Sequence, residues 1–267
     1  MTFSIVAYDA ATEQLGIAVQ SKAFAVGSLV PWLLPGVGAV ATQANVNIDY
    51  GPRGLALLKE GNSPADVIGL LTKDDEGRKV RQIGVVDVQG RSATYTGENC
   101  LDCAGGLRGE GWACQGNILA GPRVVEAMAE AYTNTAAPFP ERLLAALSAG
   151  QEAGGDIRGM QSACLRVVGK NPNRSDGILA DLRVDDHHTP IEELIRVYHV
   201  WQKIVATNTD EWIDYAGDIV LISEQLMHKL HIPGLQGLAD HLGIPEAIHG
   251  RKISQKFRRA IYSERQK

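Results

Sequence analysis

The chain is short of several things. Of its 267 residues, 6% are aromatic and four are cysteine. No stretch approaches the roughly 18 consecutive apolar residues that a membrane-spanning helix needs. Basic residues hold no excess: 26 Lys and Arg stand against 31 Asp and Glu, a net charge of −5. Such a surface lacks the positive field that draws in nucleic acid or an anionic membrane, so neither is expected as a partner. Four cysteines in so long a chain (Cys100, Cys103, Cys114 and Cys164) suggest reduced thiols and not a disulfide framework. Cys100-x-x-Cys103 is half of a zinc spacing, but no second pair follows. Asp185-Asp186-His187-His188 falls between a strand and a helix, where a polar loop is the expectation. Neither a metal nor a cofactor is therefore expected. The sequence carries no phosphate-cradling glycine loop with its lysine and no Gly-x-Ser-x-Gly elbow. Residues Met1 to Asp9 have neither the basic nor the apolar region of a secretory signal, which makes the cytoplasm the expected compartment.

What is present is an ordinary globular composition, 45% hydrophobic and 21% charged. The length suits one large domain with a small appendage. Thr2 to Asp9 and Leu15 to Gln20 are apolar at nearly every position, the pattern of strands covered on both faces, and the polar turn between them predicts a hairpin. Leu29 to Leu34 and Val37 to Gln43 flank Pro35-Gly36, a second hairpin. Two helices follow. The second has Ser63 as N-cap, Pro64 at the first position and Asp66 in the first turn. Strands return at Gln82 to Val88, Arg91 to Thr96 and Trp112 to Gln115. Val124, Val125, Met128, Ala129 and Tyr132 form one helical face, and Leu143, Leu144 and Leu147 mark the next helix. Ser162 to Val168 and Leu179 to Val184 read as strands. Thr189-Pro190-Ile191-Glu192 has the form of a capping box opening a last long helix.

Doubly covered hairpins alternating with helix pairs imply an α+β fold, a four-layer αββα sandwich of two stacked sheets with helices outside. This domain is expected over residues 1–206. Residues 207–267 should form a small helical C-terminal region, joined by a connector at Asn208 to Glu211 and ending in a basic stretch.

One residue carries chemistry unaided. Threonine is small enough to permit removal of the initiator methionine, which would leave Thr2 with a free α-amine beside its own hydroxyl, a nucleophile and a base in one residue. The reference pKa of an α-amine, about 7.7–8.0, lets it accept a proton near neutrality. The strand begins at once, so the amine would sit on a rigid element. Strand alternation places Thr2 and Ser4 on one face. If Asp9 pairs with Leu15, Lys22 lies opposite Thr2; a slip of one residue brings Ser21 there instead. Asn117, after Gln115-Gly116, is expected to help hold an oxyanion. Ser4, Gln43, Gln115 and Asp156 are the expected substrate-binding residues, each a polar group interrupting or ending an apolar segment.

Met1-Thr2-Phe3-Ser4-Ile5-Val6-Ala7, Val19-Gln20-Ser21-Lys22, Gly38-Ala39-Val40-Ala41-Thr42-Gln43 and Tyr50-Gly51-Pro52-Arg53-Gly54 together resemble the domain of unknown function 1028 family. So do Gln115-Gly116-Asn117-Ile118-Leu119-Ala120-Gly121 and Asp181-Leu182-Arg183-Val184-Asp185. The resemblance runs from Thr2 to about Val205. It implies the N-terminal nucleophile (Ntn) hydrolase fold, with Thr2 as nucleophile. It also exposes a departure: proteasome-like enzymes carry a lysine on the third strand, and Leu29 to Leu34 has none, which leaves Lys22, Ser21 or the α-amine to serve. The stretch after Asp218 faintly resembles a C-terminal segment described as peptidoglycan-binding. The expected function is an amidohydrolase acting on a small amide or peptide, with a non-catalytic binding or assembly protein on the same fold as the alternative. A homodimer or higher homo-oligomer is the expected assembly.

Overall fold

The computed structural model describes residues 2–101, 103–171, 175–206, 212–215, 217–245, 247–249 and 252–265. The connector expected at 208–211 lies outside them, as do Arg251 and Lys267 of the basic end. The chain divides into two compact units, Met1–Val197 and Tyr198–Lys267.

The first unit opens with β1 (Thr2–Asp9), β2 (Gln14–Ser21), β3 (Pro31–Leu34) and β4 (Gly38–Ala44), followed by α1 (Tyr50–Lys59) and α2 (Pro64–Lys73). Then come β5 (Arg81–Asp87), β6 (Ser92–Thr96), β7 (Gly105–Gly109), β8 (Trp112–Asn117), α3 (Arg123–Asn134) and α4 (Phe139–Glu152). Strands β9 (Ser162–Val168) and β10 (Ile178–Val184) precede α5 (Pro190–Ala206). The fold is α+β with antiparallel sheets: a six-stranded sheet ordered β10-β9-β2-β1-β8-β7 and a four-stranded sheet ordered β3-β4-β5-β6.

Central strands of both sheets pack on both faces, and alternation along them shows it. On β4, Ala39 and Ala41 join a cluster with Val6, Ile17, Val19 and Ala113 of the other sheet, while Val40 between them packs with Tyr50, Val67 and Leu71 of the helices. On the six-stranded sheet, Gly16 lies against Leu143 and Phe139 of α4, and Phe3 reaches Gly150. Each fully buried Leu, Ile or Phe contributes about 1.5–3 kcal/mol, so this double coverage is the main source of stability. Helix α2 begins as its sequence predicts, with Ser63 Oγ accepting from Asp66 N at 3.2 Å and Pro64 in the first turn.

Three points go beyond the expectations, the first being which of the two open hairpin registers forms. Asp9 pairs with Gln14, not Leu15, because Glu13 adopts φ 53° and closes the turn one residue sooner. The ladder β7 was absent from the sequence reading, since Gly105, Gly106 and Gly109 offer none of the β-branched or aromatic side chains that mark a strand. The second unit is likewise not purely helical. Alongside α6 (Asp218–Leu230), α7 (Gly234–His241) and α8 (Gln255–Arg265) it has a small sheet ordered β11-β13-β12. Its strands, β11 (Trp212–Asp214), β12 (Ile248–His249) and β13 (Lys252–Ser254), are too short for a period-two pattern to show. Ile219, Ile222, Leu226, Leu238, Phe257 and Ile261 give this unit a core of its own. Among the described residues, no helix is long and apolar enough to cross a membrane.

Candidate active site between the sheets

The space between the sheets changes character along the strands. At one end it is filled by Val6, Ile17, Val19, Ala39, Ala41, Val86 and Ala113. At the other, the same strand faces present Thr2 and Ser4 (β1), Ser21 (β2), Gln43 (β4), Gln82 (β5), and Gln115 and Asn117 (β8). All are polar, none is charged, and all are buried; Thr2, at 6%, is the most exposed. The register puts Thr2 directly opposite Asn117, and Phe3 opposite Gln20, which carries Thr2 to Ser21 on its other side. The hydroxyls of Thr2 and Ser21 are 3.1 Å apart.

The hydrogen-bond directions among the carboxamides and Ser4 are forced by the backbone, whereas either hydroxyl of the Thr2–Ser21 pair can donate. Gln82 Nε2 donates to Gly116 O at 2.7 Å and to Gly105 O at 3.2 Å. A carbonyl only accepts, so the nitrogen must face these atoms and Oε1 must face the other way. Oε1 then accepts from Gln43 Nε2 and Asn117 Nδ2, each at 2.8 Å. Gln43 Nε2 also reaches Thr2 O and Gln115 O, both at 3.3 Å. That leaves Gln43 Oε1 to accept the Ser4 hydroxyl proton at 2.7 Å. Ser4 Oγ, its proton committed, accepts from Gln115 Nε2 at 2.6 Å. The chain ends at Gln115 Oε1, which is buried and has no partner among the described residues. On the other branch, Asn117 Nδ2 also reaches Thr2 O at 3.4 Å.

Backbone strain flanks the cluster. Ala44 follows Gln43 with φ 67°, and Ile118 follows Asn117 with φ 52°. For a β-branched residue such a φ is a true outlier and costs on the order of 1–3 kcal/mol, so its surroundings must hold it. They do: Ile118 O accepts from Ile157 N, Leu119 N donates to Cys103 O, and Leu119 bridges to Asp156.

The structure places the other sequence candidates as follows. Asp156 is buried and its carboxylate accepts from Lys22 N at 3.0 Å, Arg158 N at 2.8 Å and Arg158 Nη2 at 3.3 Å. Through its carboxylate and its backbone bridge to Leu119 it ties the end of β2 to the segment after β8, and its side chain is fully buried. Lys22 is exposed, and its Nζ donates to Met160 O at 3.1 Å. The one-residue change of register has turned it away from Thr2, and Ser21 takes that position. Ser4, Gln43 and Gln115 have no exposed surface and bond chiefly to one another. They form the interior of the cluster, next to Thr2 and Asn117.

Two contributors escaped the sequence reading. Gln82 is the junction of the whole network; strand parity with Val86 gives the face it lies on, but nothing local in the sequence marks its partners. The second is the cluster that fixes the loop after β4. Arg81 Nε donates to Asp75 Oδ2 at 2.9 Å and Arg81 Nη1 to Asn45 O at 2.7 Å, while Tyr50 OH donates to Asp75 Oδ2 at 2.7 Å. The hydrogen bond from Arg81, more than that from Tyr50, holds the Asp75 carboxyl well below the usual carboxylate range. Burial first, and the bond to Asp75 second, push the Tyr50 phenol up. Among the described residues, no group of three or more His, Cys, Asp or Glu side chains is placed to hold a metal ion.

A two-sheet α+β protein with a neutral polar cluster at the head of its first strand is the class these features define. The chain belongs to DUF1028, a family of unknown function, whose model matches residues 2–194. It is similar to the crystal structure of protein SPO2555 from Silicibacter pomeroyi, also of the DUF1028 family model. There the identity is 33%, 74% of this chain and 85% of that chain are covered, and the TM-score is 0.69. Much weaker likenesses join it to the Gly-1 mutant of Anbu from Hyphomicrobium sp. strain MC1, at 10% identity, TM-score 0.36, and 80% and 100% coverage. A further one is Anbu, an ancestral beta-subunit, from Yersinia bercovieri, at 9% identity, TM-score 0.33, and 88% and 99% coverage. Likenesses that weak carry no inference about activity. No curated protein matches the chain.

Proposed function

We propose that this protein is an Ntn-type amidohydrolase of αββα architecture whose nucleophile is Thr2, exposed as the terminal residue by removal of Met1. The observation that supports this reading best is the neutrality of the cluster around Thr2. The inward-facing side chains of β1, β2, β4, β5 and β8 at this end are hydroxyls and carboxamides. None is a base near neutral pH. A hydroxyl nucleophile here needs a proton acceptor, and the α-amine of Thr2 itself is the group that supplies one.

In this mechanism the amine takes the Thr2 hydroxyl proton as Oγ1 attacks the carbonyl carbon of an amide. The amine then returns the proton to the leaving nitrogen, and water releases the acyl group by the reverse sequence. Ser21, 3.1 Å from Thr2 Oγ1, orients the nucleophile. Gln43, Gln82 and Gln115 hold β1 and β8 in register behind it. The substrate is a small amide or peptide.

The test is intact-mass measurement combined with a screen of an amide and dipeptide library. Loss of Met1 together with hydrolysis of some library member supports the reading. Met1 retained on the mature chain blocks the amine and overturns it in favour of a non-catalytic binding or assembly role.

A further inference from the structure

Asn117 has spent both of its amide protons: one goes to Gln82 Oε1 at 2.8 Å and one to Thr2 O at 3.4 Å. This is not a free choice of rotamer. Gln82 Oε1 can only accept, and it faces Asn117 because Gln82 Nε2 is pinned by the carbonyls of Gly116 and Gly105. Nδ2 of Asn117 must therefore point inward at Gln82. In a planar carboxamide the oxygen lies on the other side of Cγ, so Oδ1 is turned away from Gln82. Oδ1 makes no hydrogen bond among the described residues, and Asn117 as a whole is 2% exposed. An oxyanion needs a donor. Asn117 has none left, so the oxyanion role expected from the sequence does not fit its orientation.

We propose that Asn117 is an acceptor in this site, a positioning residue whose Oδ1 holds an N–H of the Thr2 α-amine, and that Gln82 enforces this polarity through Asn117 Nδ2. The proposal rests on the reading of Thr2 given above. Thr2 and Asn117 are direct partners in the β1–β8 ladder with side chains on the same face. No titratable side chain faces Thr2 from β1, β2, β4, β5 or β8; Lys22, Asp156 and Arg158 lie on the flanking segments and bond to one another or to main-chain atoms. A carbonyl acceptor on the amine keeps its lone pair aimed at the hydroxyl and steadies the ammonium form that appears during attack. Donation to the oxyanion then falls to backbone N–H groups.

The experiment uses the full chain released from a cleavable fusion so that it begins at Thr2, with nitrogen-15 threonine, and follows the α-amine titration by NMR. Asn117→Ala removes the acceptor and is expected to lower the titration midpoint by about one pH unit, a roughly tenfold loss of proton affinity. Asn117→Asp keeps an acceptor and adds charge, and should raise the midpoint. Gln82→Met frees Asn117 Nδ2 and should move the midpoint in the same direction as Asn117→Ala. Thermal melting establishes that each variant is folded; if Asn117→Asp or Gln82→Met is not, Asn117→Ala alone decides. A midpoint unchanged in folded Asn117→Ala overturns the proposal. Absence of hydrolysis by the wild-type chain starting at Thr2 sinks the hydrolase reading while leaving the titration to judge the acceptor assignment, so the two failures are separable.

Discussion

Gln115 lies flat against Gly84 across the gap between the sheets: a Cβ built on Gly84 would stand 2.1 Å from Gln115 Oε1 and 2.5 Å from its Cδ. The glycine is there for space and not for conformational freedom. Gly84→Ala must push the Gln115 carboxamide aside and with it the bond to Ser4. Overpacking of this kind costs about 1–3 kcal/mol. Chemical denaturation should show that loss, and wild-type stability for Gly84→Ala would contradict the packing described.

Thr2→Ala should abolish hydrolysis while changing stability little, because the hydroxyl bond it removes is worth about 0.5–1.5 kcal/mol. Thr2→Ser keeps a hydroxyl next to the α-amine and should retain measurable turnover. Assays on both variants with any substrate found by library screening decide the matter. Full activity in Thr2→Ala would remove Thr2 from the chemistry.

Asp75 gives a signed pH effect. Its folded-state pKa is depressed by Arg81, so the unfolded chain takes up a proton before the folded one does. The stabilisation is complete above the unfolded value of about 3.9 and is lost as pH falls below it. Urea titrations from pH 7 downward should show wild type losing stability more steeply than Asp75→Asn once the pH passes below about 4. Parallel curves across that range would show that the Arg81 bond does not persist in solution.

Thiol reactivity should follow burial. Cys103 is exposed, Cys100 is half-buried with Sγ against Arg81 O, and Cys114 and Cys164 are fully enclosed. Burial pushes the Cys164 thiol up to about 12 and raises that of Cys114 as well. Alkylation of native protein should modify Cys103 first and leave Cys114 and Cys164 untouched until denaturant is added. Early labelling of either buried thiol, read by peptide mass mapping, would mean that the sheets open readily.

Much of the first unit was legible because local signals and burial agree there. Continuous apolar runs marked β1 and β2 as strands covered twice, Pro35-Gly36 marked the turn between β3 and β4, and Ser63-Pro64 with Asp66 marked the start of α2. What failed was whatever depends on a single residue's turn geometry or on a distant partner. Glu13 shifted the hairpin by one position, which exchanged Lys22 for Ser21 beside Thr2. Asp156 looked like a ligand-facing acid, yet two backbone N–H groups and the Arg158 guanidinium use its oxygens. Gln82 appeared only as the first residue of a strand. Its importance comes from Gly105 and Gly116, more than twenty positions away in sequence, and no short-range pattern reports such a meeting.

Because the carbonyls of Gly105 and Gly116 set which way Gln82 points, the donor-to-acceptor sense of the carboxamide network is written into main-chain atoms. Every residue type has those atoms, so mutation of a side chain can cut the circuit but cannot reverse its current. A descendant of this protein seeking to present a proton at position 117 would first have to rebuild the β7–β8 ladder.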